Sequence, residues 1–227
     1  MFLIAPRLIP ATLPQDEQRR VWIVQSAIMD LDGYVTDFSS ALALFDFASG
    51  NPNLPHRWDL IAARDGAMTI KHFYDVFDGI RVTTRCCPSL SPLVDWAQIR
   101  TAERVYRTHF RDYIDVRDSV GHAGDKAATP EKYENHAYTG SLSSGPVKGS
   151  MVGMTMTNLL EGRKFTNTWE HKIVSYEISN KTLGYLCEAR DHVWSAFRVA
   201  ERELRSAAVE FWKAKSATPS KPDEPPT

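Results

Sequence analysis

The stretch VWIVQSAIMDLDGYVTDFSSALALF, residues 21–45, decides the fold class of this 227-residue chain. Its apolar side chains recur at alternating steps of three and four residues, which is the period of one helix face and not of a strand. The pattern predicts a helix that begins near Asp16 and stops at residues 50–55, where a glycine and two prolines end it. The apolar seam consists of Val21, Val24, Ile28, Leu31, Val35, Phe38, Leu42 and Phe45.

The same helical period recurs in three further segments of the chain. A second helix is predicted over about residues 56–80, and a third over about residues 91–116 or a little further. The last helix is predicted to start after Ser179 or Asn180, either of which can cap it, and its seam reaches Phe211. Long helices with apolar seams pack as bundles, so we expect an all-α fold with four to five helices.

The period changes between the third and the last helix. Residues 123–150 are rich in Gly, Ser, Lys, Pro and Ala, which predicts an irregular connection with one short helix around residues 130–136. From Val152 to Ile178 apolar residues alternate with polar ones at a period of two. This alternation predicts a β-hairpin inserted before the last helix.

The prolines and the periods together divide the chain. Residues 1–15 hold three prolines and are expected to form an extended N-terminal segment. Residues 16–215 are expected to form a single helical domain, in which residues 123–179 are the loop and hairpin insertion. Residues 216–227 hold four prolines and are expected to be a disordered tail.

Composition limits the classes of function. The formal net charge is −1, so any contact with RNA has to come from a local basic surface. Three cysteines give neither a disulfide framework nor a metal-ligand spacing, and we expect no metal and no cofactor. The apolar start is too short for a signal peptide, and no stretch approaches a membrane span. The sequence therefore predicts a cytoplasmic protein that does not contact membranes.

A six-residue motif, RDSVGH at residues 117–122, follows the third helical pattern. RNA cleavage without a metal needs a group that moves a proton from the 2′-hydroxyl or onto the leaving oxygen, and histidine titrates in the required range. It also needs a fixed cation for the phosphate, which the planar guanidinium of arginine supplies. The motif contains both groups, Arg117 and His122.

The spacing of the motif has a geometric consequence. Five residues on an unbroken helix advance about 500°, which leaves the two side chains roughly 140° apart. Gly121 and Gly124 can end the helix, so His122 can fold back toward Arg117 or meet its counterpart in a second subunit. The alternative is structural: Arg117 is a solvated cation at a helix end, and His122 caps a free carbonyl there.

The motif resembles the Arg-x4-6-His motif of the HEPN superfamily, many of whose members are metal-independent ribonucleases, and its placement resembles that in the abortive-infection branch. The resemblance implies a helical bundle and a homodimer in which both motifs face one cleft, with Arg117 and His122 catalytic. It further implies an RNA substrate, a role as a toxin or antiviral defence effector, and an antitoxin protein as a partner. Asparagine often follows the HEPN arginine, whereas this chain has Asp118.

Four further residues are candidates for supporting the site. Asp118 and Ser119 are expected to orient the histidine or to contact phosphate. Arg64 is either a second phosphate contact or a member of an ion pair. Arg190 lies in an apolar seam, where a bare guanidinium is costly, so it either borders the cleft or pairs with a carboxylate such as Asp30, Asp32 or Asp115.

Cations and aromatic residues interleave in the predicted hairpin region. Bases stack on aromatic rings and phosphates pair with Lys or Arg, so Lys148, Arg163, Lys164 and Trp169 form a candidate RNA-binding surface. The alternative is a lid or a dimer arm whose aromatic side chains pack on a helix.

Two other classes of function stay open. The first is a non-catalytic HEPN-like helical protein that binds a protein or nucleic acid without cleaving it. The second is a small-molecule or metal enzyme that uses histidines, although no metal-binding spacing or Gly-rich phosphate loop supports it. The histidines considered for that class are His109, His122, His136 and His171.

Overall fold

Helices account for 66% of the computed structural model, which describes residues 3–51, 53–54, 57–124, 128–142 and 149–217. In that part of the chain seven α-helices occur together with two small sheets. The expectation of a helix-dominated fold is confirmed, whereas the strictly all-α class is wrong because five strands form. The helices are α1 Gln15–Ser49, α2 Trp58–Arg85, α3 Trp96–His109, α4 Tyr113–Gly121, α5 Pro130–His136, α6 Asn180–Ala196 and α7 Arg198–Ala217.

The first helix follows the prediction closely. All eight seam residues between Val21 and Phe45 are buried, and α1 packs along α2. At a rise of 1.5 Å per residue its 35 residues span about 52 Å. The main core forms between α1, α2, α3, α6 and α7, and α1 contributes buried residues along most of its length.

Two predicted helices are interrupted. The predicted third helix begins with a short 3-10 turn at Ser91–Leu93, and the rest of it is divided at residues 110–112 into α3 and α4. The predicted last helix is divided at Phe197 into α6 and α7. The first interruption lets the two halves cover different surfaces, since α3 packs against α6 whereas α4 packs against α2 and the sheet. The motif therefore lies on a short helix of its own.

Two antiparallel sheets replace the single predicted hairpin. The strands are β1 Tyr138–Leu142, β2 Gly149–Met154, β3 Leu159–Glu161, β4 Lys164–Trp169 and β5 Lys172–Glu177. β1 pairs with β2, and β4 pairs with both β3 and β5. The short helix predicted around residues 130–136 is confirmed as α5.

The N-terminal segment is tied to the last helix. No helix or strand occurs in the described residues before Gln15. The backbone N–H of Arg7 donates to Glu201 on α7 at 3.0 Å, and Arg198 donates to the carbonyl of Ile4. The side chain of Leu8 is fully buried in the core. At the other end α7 continues through Ala217, two residues into the predicted tail, and residues 218–227 lie outside the described residues.

A second, smaller core holds α4 in place. It is formed by residues of α2, α4, β4 and β5: Ala63, Ala67, Val116, Val120, Phe165, Trp169 and Val174. Small side chains on α2 let α4 and the sheet approach closely.

In the described part of the chain, no helix combines the length and apolarity needed to cross a bilayer.

Gly66 sits where the sheet approaches α2 most closely. The hydroxyl of Tyr176 donates to the carbonyl of Ala63, and a Cβ at position 66 would lie 2.7 Å from that hydroxyl oxygen and 3.2 Å from Phe38. We expect Gly66→Ala to lower the free energy of unfolding by about 1–3 kcal/mol through overpacking, despite the better helix propensity of alanine. Urea unfolding measures the change.

Tyr176→Phe is the matched second change because it removes only the oxygen that meets the new methyl group. The double variant Gly66→Ala, Tyr176→Phe should lose less stability than the sum of the two single variants. If the two losses in the free energy of unfolding simply add, the contact between the new methyl group and the Tyr176 hydroxyl is not the source of the destabilisation.

Glu17 joins the start of α1 to the turn after α2. Its carboxylate accepts hydrogen bonds from the thiol of Cys87 at 3.0 Å and from the N–H of Ser89 at 2.8 Å. These bonds lower the pKa of Glu17, the bond from the thiol most of all. Burial and the same carboxylate raise the pKa of the Cys87 thiol to about 11, so Cys87 stays protonated at neutral pH.

This network predicts acid-sensitive stability. Because the folded pKa of Glu17 lies below the unfolded value of about 4.3, its contribution is complete above that pH and is lost as the pH falls through the folded pKa. Glu17→Gln should therefore lower the urea midpoint at pH 7 and have a smaller effect at pH 3. An equal deficit at both pH values would argue against the carboxylate as the source.

Candidate functional site

The motif occupies the second half of α4, a nine-residue helix held between α2 and β4. Tyr113, Val116, Ser119 and Val120 form its buried face. The motif residues at the two ends, Arg117 and His122, stay outside that face. The helix thus offers its flanks to solvent while its inner side is fixed.

Ser119 anchors α4 to the sheet. It is completely buried, its hydroxyl donates to the carbonyl of Val116 at 2.6 Å, and it accepts a bond from the side-chain amide of Asn167 at 2.8 Å. The amide oxygen of Asn167, itself fully buried, accepts from the N–H of Asn158. Since none of its surface is exposed in this structure, Ser119 is not placed to contact a phosphate; its bond from Asn167 fixes α4 to the sheet, and the alternative that it helps to orient the histidine stays a prediction.

Arg117 is half-exposed and pairs with its neighbour. Its guanidinium donates to the carboxylate of Asp118 at 2.7 Å, and 36% of the Arg117 side chain is exposed. The Nε of Arg117 is buried and has no acceptor among the described residues. Asp118 therefore pairs with the arginine, whereas the sequence suggested that it orients the histidine or contacts phosphate.

His122 follows α4 as its C-terminal cap. Its backbone N–H donates to the carbonyl of Asp118 at 2.9 Å, and the residue is exposed. The helix continues through Gly121. This glycine therefore does not end the helix early and fold His122 back toward Arg117, which was one of the two arrangements that the sequence allowed. His122 thus lies just beyond the last helical residue, at the C-cap position.

Aromatic rings gather beside His122. Its ring centroid lies 6.0 Å from that of Trp169, and the ring of His136 stacks on Trp169 at 4.2 Å. Trp169 is only 9% exposed and belongs to the second core. Its ring packs against protein and is not an open platform for a base, which agrees with the alternative that hairpin aromatics pack on a helix.

A strained turn positions these rings. Glu170 and His171 link β4 to β5 and have φ angles of 46° and 62°, which non-glycine residues seldom adopt. The N–H of Glu170 donates to Nδ1 of His136 at 3.3 Å, and Nδ1 of His171 lies 3.0 Å from the carbonyl of Ala137.

Arg64 lies close to the motif helix. It is exposed on α2 and lines a shallow groove of about 220 Å³ together with Asp65, Met68 and Val120 of α4. Among the described residues Arg64 forms no ion pair, so its guanidinium is available beside the motif. This position is compatible with the predicted phosphate contact.

Arg190 has its partners elsewhere. Its guanidinium pairs with Asp32 of α1 at 2.7 Å and with Asp191 at 2.8 Å, and it lies 4.5 Å from the ring centre of Trp194. Only 17% of its side chain is exposed. These contacts lie on α1 and α6 and not on α4, which matches the alternative that named Asp32.

The described cations of the predicted basic surface, Arg163 and Lys164, lie just before and at the start of β4. Arg163 pairs with Asp46 at the end of α1, donates to the carbonyl of Ile178 at 3.0 Å and lies over the ring of Phe45. It therefore ties the hairpin to the bundle. Lys164 is exposed and stands opposite Glu177 in the pairing of β4 with β5. Lys148 lies outside the described residues.

Sequence reasoning missed Asn167 and the proximity of His136 to the motif. Both depend on contacts between residues far apart in the chain, and a period of two cannot indicate which alternating residues a helix covers.

The described residues contain no group of three or more His, Cys, Asp or Glu arranged to hold a metal ion. Comparison of the chain with protein families, curated proteins and solved structures found no match.

Proposed function

We propose that this protein is a metal-independent endoribonuclease of the HEPN type. The observation that carries the proposal is the organisation of α4: Arg117 and His122 stay accessible, while Ser119 and Val120 between them are buried and fixed to the sheet through Asn167. A rigid support for an acid–base group and a phosphate-binding cation is what this chemistry needs.

A homodimer supplies the second acid–base group that one subunit lacks. One subunit contributes one Arg117 and one His122, whereas cleavage by transfer needs both a base and an acid. A twofold axis beside α4 brings two copies of each residue to one cleft. Strictly monomeric protein in light scattering at micromolar concentration would contradict this composite site.

The proposed reaction is a transfer within RNA. The 2′-oxygen attacks phosphorus and its proton passes to one histidine, while the P–O5′ bond breaks and the leaving oxygen receives a proton from the other. The products are a 2′,3′-cyclic phosphate and a free 5′-hydroxyl. Arg117 stabilises the charge on the phosphate oxygens, and Arg64 in the adjacent groove is a second candidate for this contact.

The ion pair of Arg117 with Asp118 competes with phosphate. Since exposed pairs are worth about 0–1 kcal/mol, Asp118→Asn should raise kcat/KM for RNA by about two- to fivefold by releasing the guanidinium. Asp75→Asn, which removes a carboxylate paired with Lys71 on α2, is the control. Lower activity in Asp118→Asn would mean that the carboxylate positions Arg117 productively.

The decisive test is incubation of the purified protein with total RNA in EDTA. We expect cleavage by the wild type, no cleavage by Arg117→Ala, and normal cleavage by Arg202→Ala, which removes an exposed arginine of α7. Absence of cleavage by the wild type, with RNA bound, would favour the second candidate below.

That second candidate is a non-catalytic helical binding protein. It is favoured by the pairing of Arg117 with Asp118 and the contact of His122 with Trp169, both of which suit structural roles. A toxin or antiviral role, a cytoplasmic location and an antitoxin partner belong to the ribonuclease proposal. Copurification of a second protein that suppresses cleavage would support the antitoxin.

A further inference from the structure

A cleft of about 350 Å³ opens where the chain leaves α3 and enters α4. Its walls come from α2, from the interruption at residues 110–112, from β5 and from the first turns of α6. This volume falls in the range of small-molecule sites. Neither Arg117 nor His122 lines it, so the cleft is separate from the candidate RNA site.

Buried apolar and aromatic residues form part of the wall of the cleft. Ile70 of α2, Phe110 at the interruption, and Tyr113 and Val116 of α4 are all buried and line it. On one wall the ring of His109 stacks on Tyr185 with 3.4 Å between centroids and 7° between planes. This part of the wall gives an apolar or aromatic ligand group a surface on which to pack.

The outer part carries charges of both signs. Arg111 and Lys181 are cationic, Asp112 and Glu177 are anionic, and all four are exposed. Among the described residues none of the four belongs to an ion pair, although they share one cleft. Both kinds of charge are therefore available to a ligand.

We propose that this cleft binds a zwitterionic small molecule with an apolar body, the simplest example being a free α-amino acid with a large apolar side chain. Arg111 and Lys181 bind its carboxylate, Asp112 and Glu177 bind its ammonium group, and its side chain lies on the apolar lining. A nucleotide suits the charges less well because it has no cationic group for the two carboxylates. The proposal is independent of RNA cleavage.

Calorimetric titration with three probes of one shape tests the charge requirement. L-phenylalanine has both charges, 3-phenylpropanoate lacks the ammonium group, and phenethylamine lacks the carboxylate. We expect the amino acid to bind most tightly and each analogue to bind about 10- to 100-fold more weakly, since each forfeits charge-assisted hydrogen bonds.

Two paired variants assign the charges to their partners. Arg111→Ala, Lys181→Ala should weaken the binding of L-phenylalanine and leave phenethylamine unaffected, while Asp112→Asn, Glu177→Gln should weaken the amino acid and leave 3-phenylpropanoate unaffected. Arg202→Ala is the control, and circular dichroism confirms folding. The proposal is overturned if L-phenylalanine and L-leucine give no binding at about 10 mM. It is also overturned if the analogues or adenosine monophosphate bind as tightly as the amino acids, or if the variants change nothing.

Discussion

His122→Ala is expected to slow RNA cleavage by about 100- to 10,000-fold, the usual contribution of a general acid or base. Its stability should change by no more than about 0.5 kcal/mol, because substitutions at exposed positions usually cost no more than this. The ring centroid of His122 lies 6.0 Å from that of Trp169. Single-turnover cleavage in EDTA and thermal unfolding measure the two effects on the same samples.

His72→Ala is the matched control for this experiment. His72 is an exposed histidine of α2 whose ring contacts Tyr34 of α1, and its loss should leave cleavage unchanged. Arg117→Lys should also be poorly active, because an ammonium group cannot replace the planar fork of arginine. If His122→Ala unfolds the protein, the histidine is a structural cap. If the variant folds and cleaves normally, the catalytic assignment fails.

Asn167→Ala is expected to lower the free energy of unfolding by about 2–4 kcal/mol, the largest stability loss among the variants considered. The buried amide bonds Ser119 on α4 and the backbone N–H of Asn158. Alanine leaves that N–H without its acceptor and removes the bond that joins Ser119 to β4, while the Ser119 hydroxyl keeps its bond to the carbonyl of Val116. Because this amide joins α4 to β4, loss of cleavage should accompany the loss of stability. Urea unfolding and the cleavage assay test the two expectations.

Asn180→Ala, at an exposed position at the start of α6, controls for loss of an asparagine side chain. Ser119→Ala combined with Asn167→Ala should cost less than the sum of the two single changes, since each removes the same bond. A loss below about 0.5 kcal/mol for Asn167→Ala would mean that water satisfies the orphaned groups.

The sequence was sufficient for elements whose period is long and uninterrupted. The seam of α1 runs from Val21 to Phe45 without a break, and its burial follows from that spacing alone. The interruption at Phe110 was not visible, because Phe110 and Tyr113 are three residues apart and keep a helical spacing. The break accompanies a change of packing partner, since α3 packs against α6 whereas α4 packs against α2.

The motif of the site could be predicted from the sequence, whereas the contacts that surround its residues could not. Residue types and spacing identify Arg117 and His122 as candidates for acid–base chemistry and phosphate binding. The partners of these residues depend on tertiary contacts: Asn167 is 48 positions from Ser119, and Arg190 is 158 positions from Asp32. The alternation of β4 placed Trp169 and Asn167 on one face, but only the position of α4 decides that this face is covered.

The bonds between the N-terminal segment and α7 have a consequence for biosynthesis. Arg7 and Glu201 are 194 positions apart, so at 5–20 residues per second roughly 10–40 s pass before the ribosome supplies the partner. During that interval α1 and α2 can pair, whereas Leu8 has no completed core to enter. A nascent chain arrested before Arg198 should therefore expose its first residues to protease, and the released full-length chain should protect them.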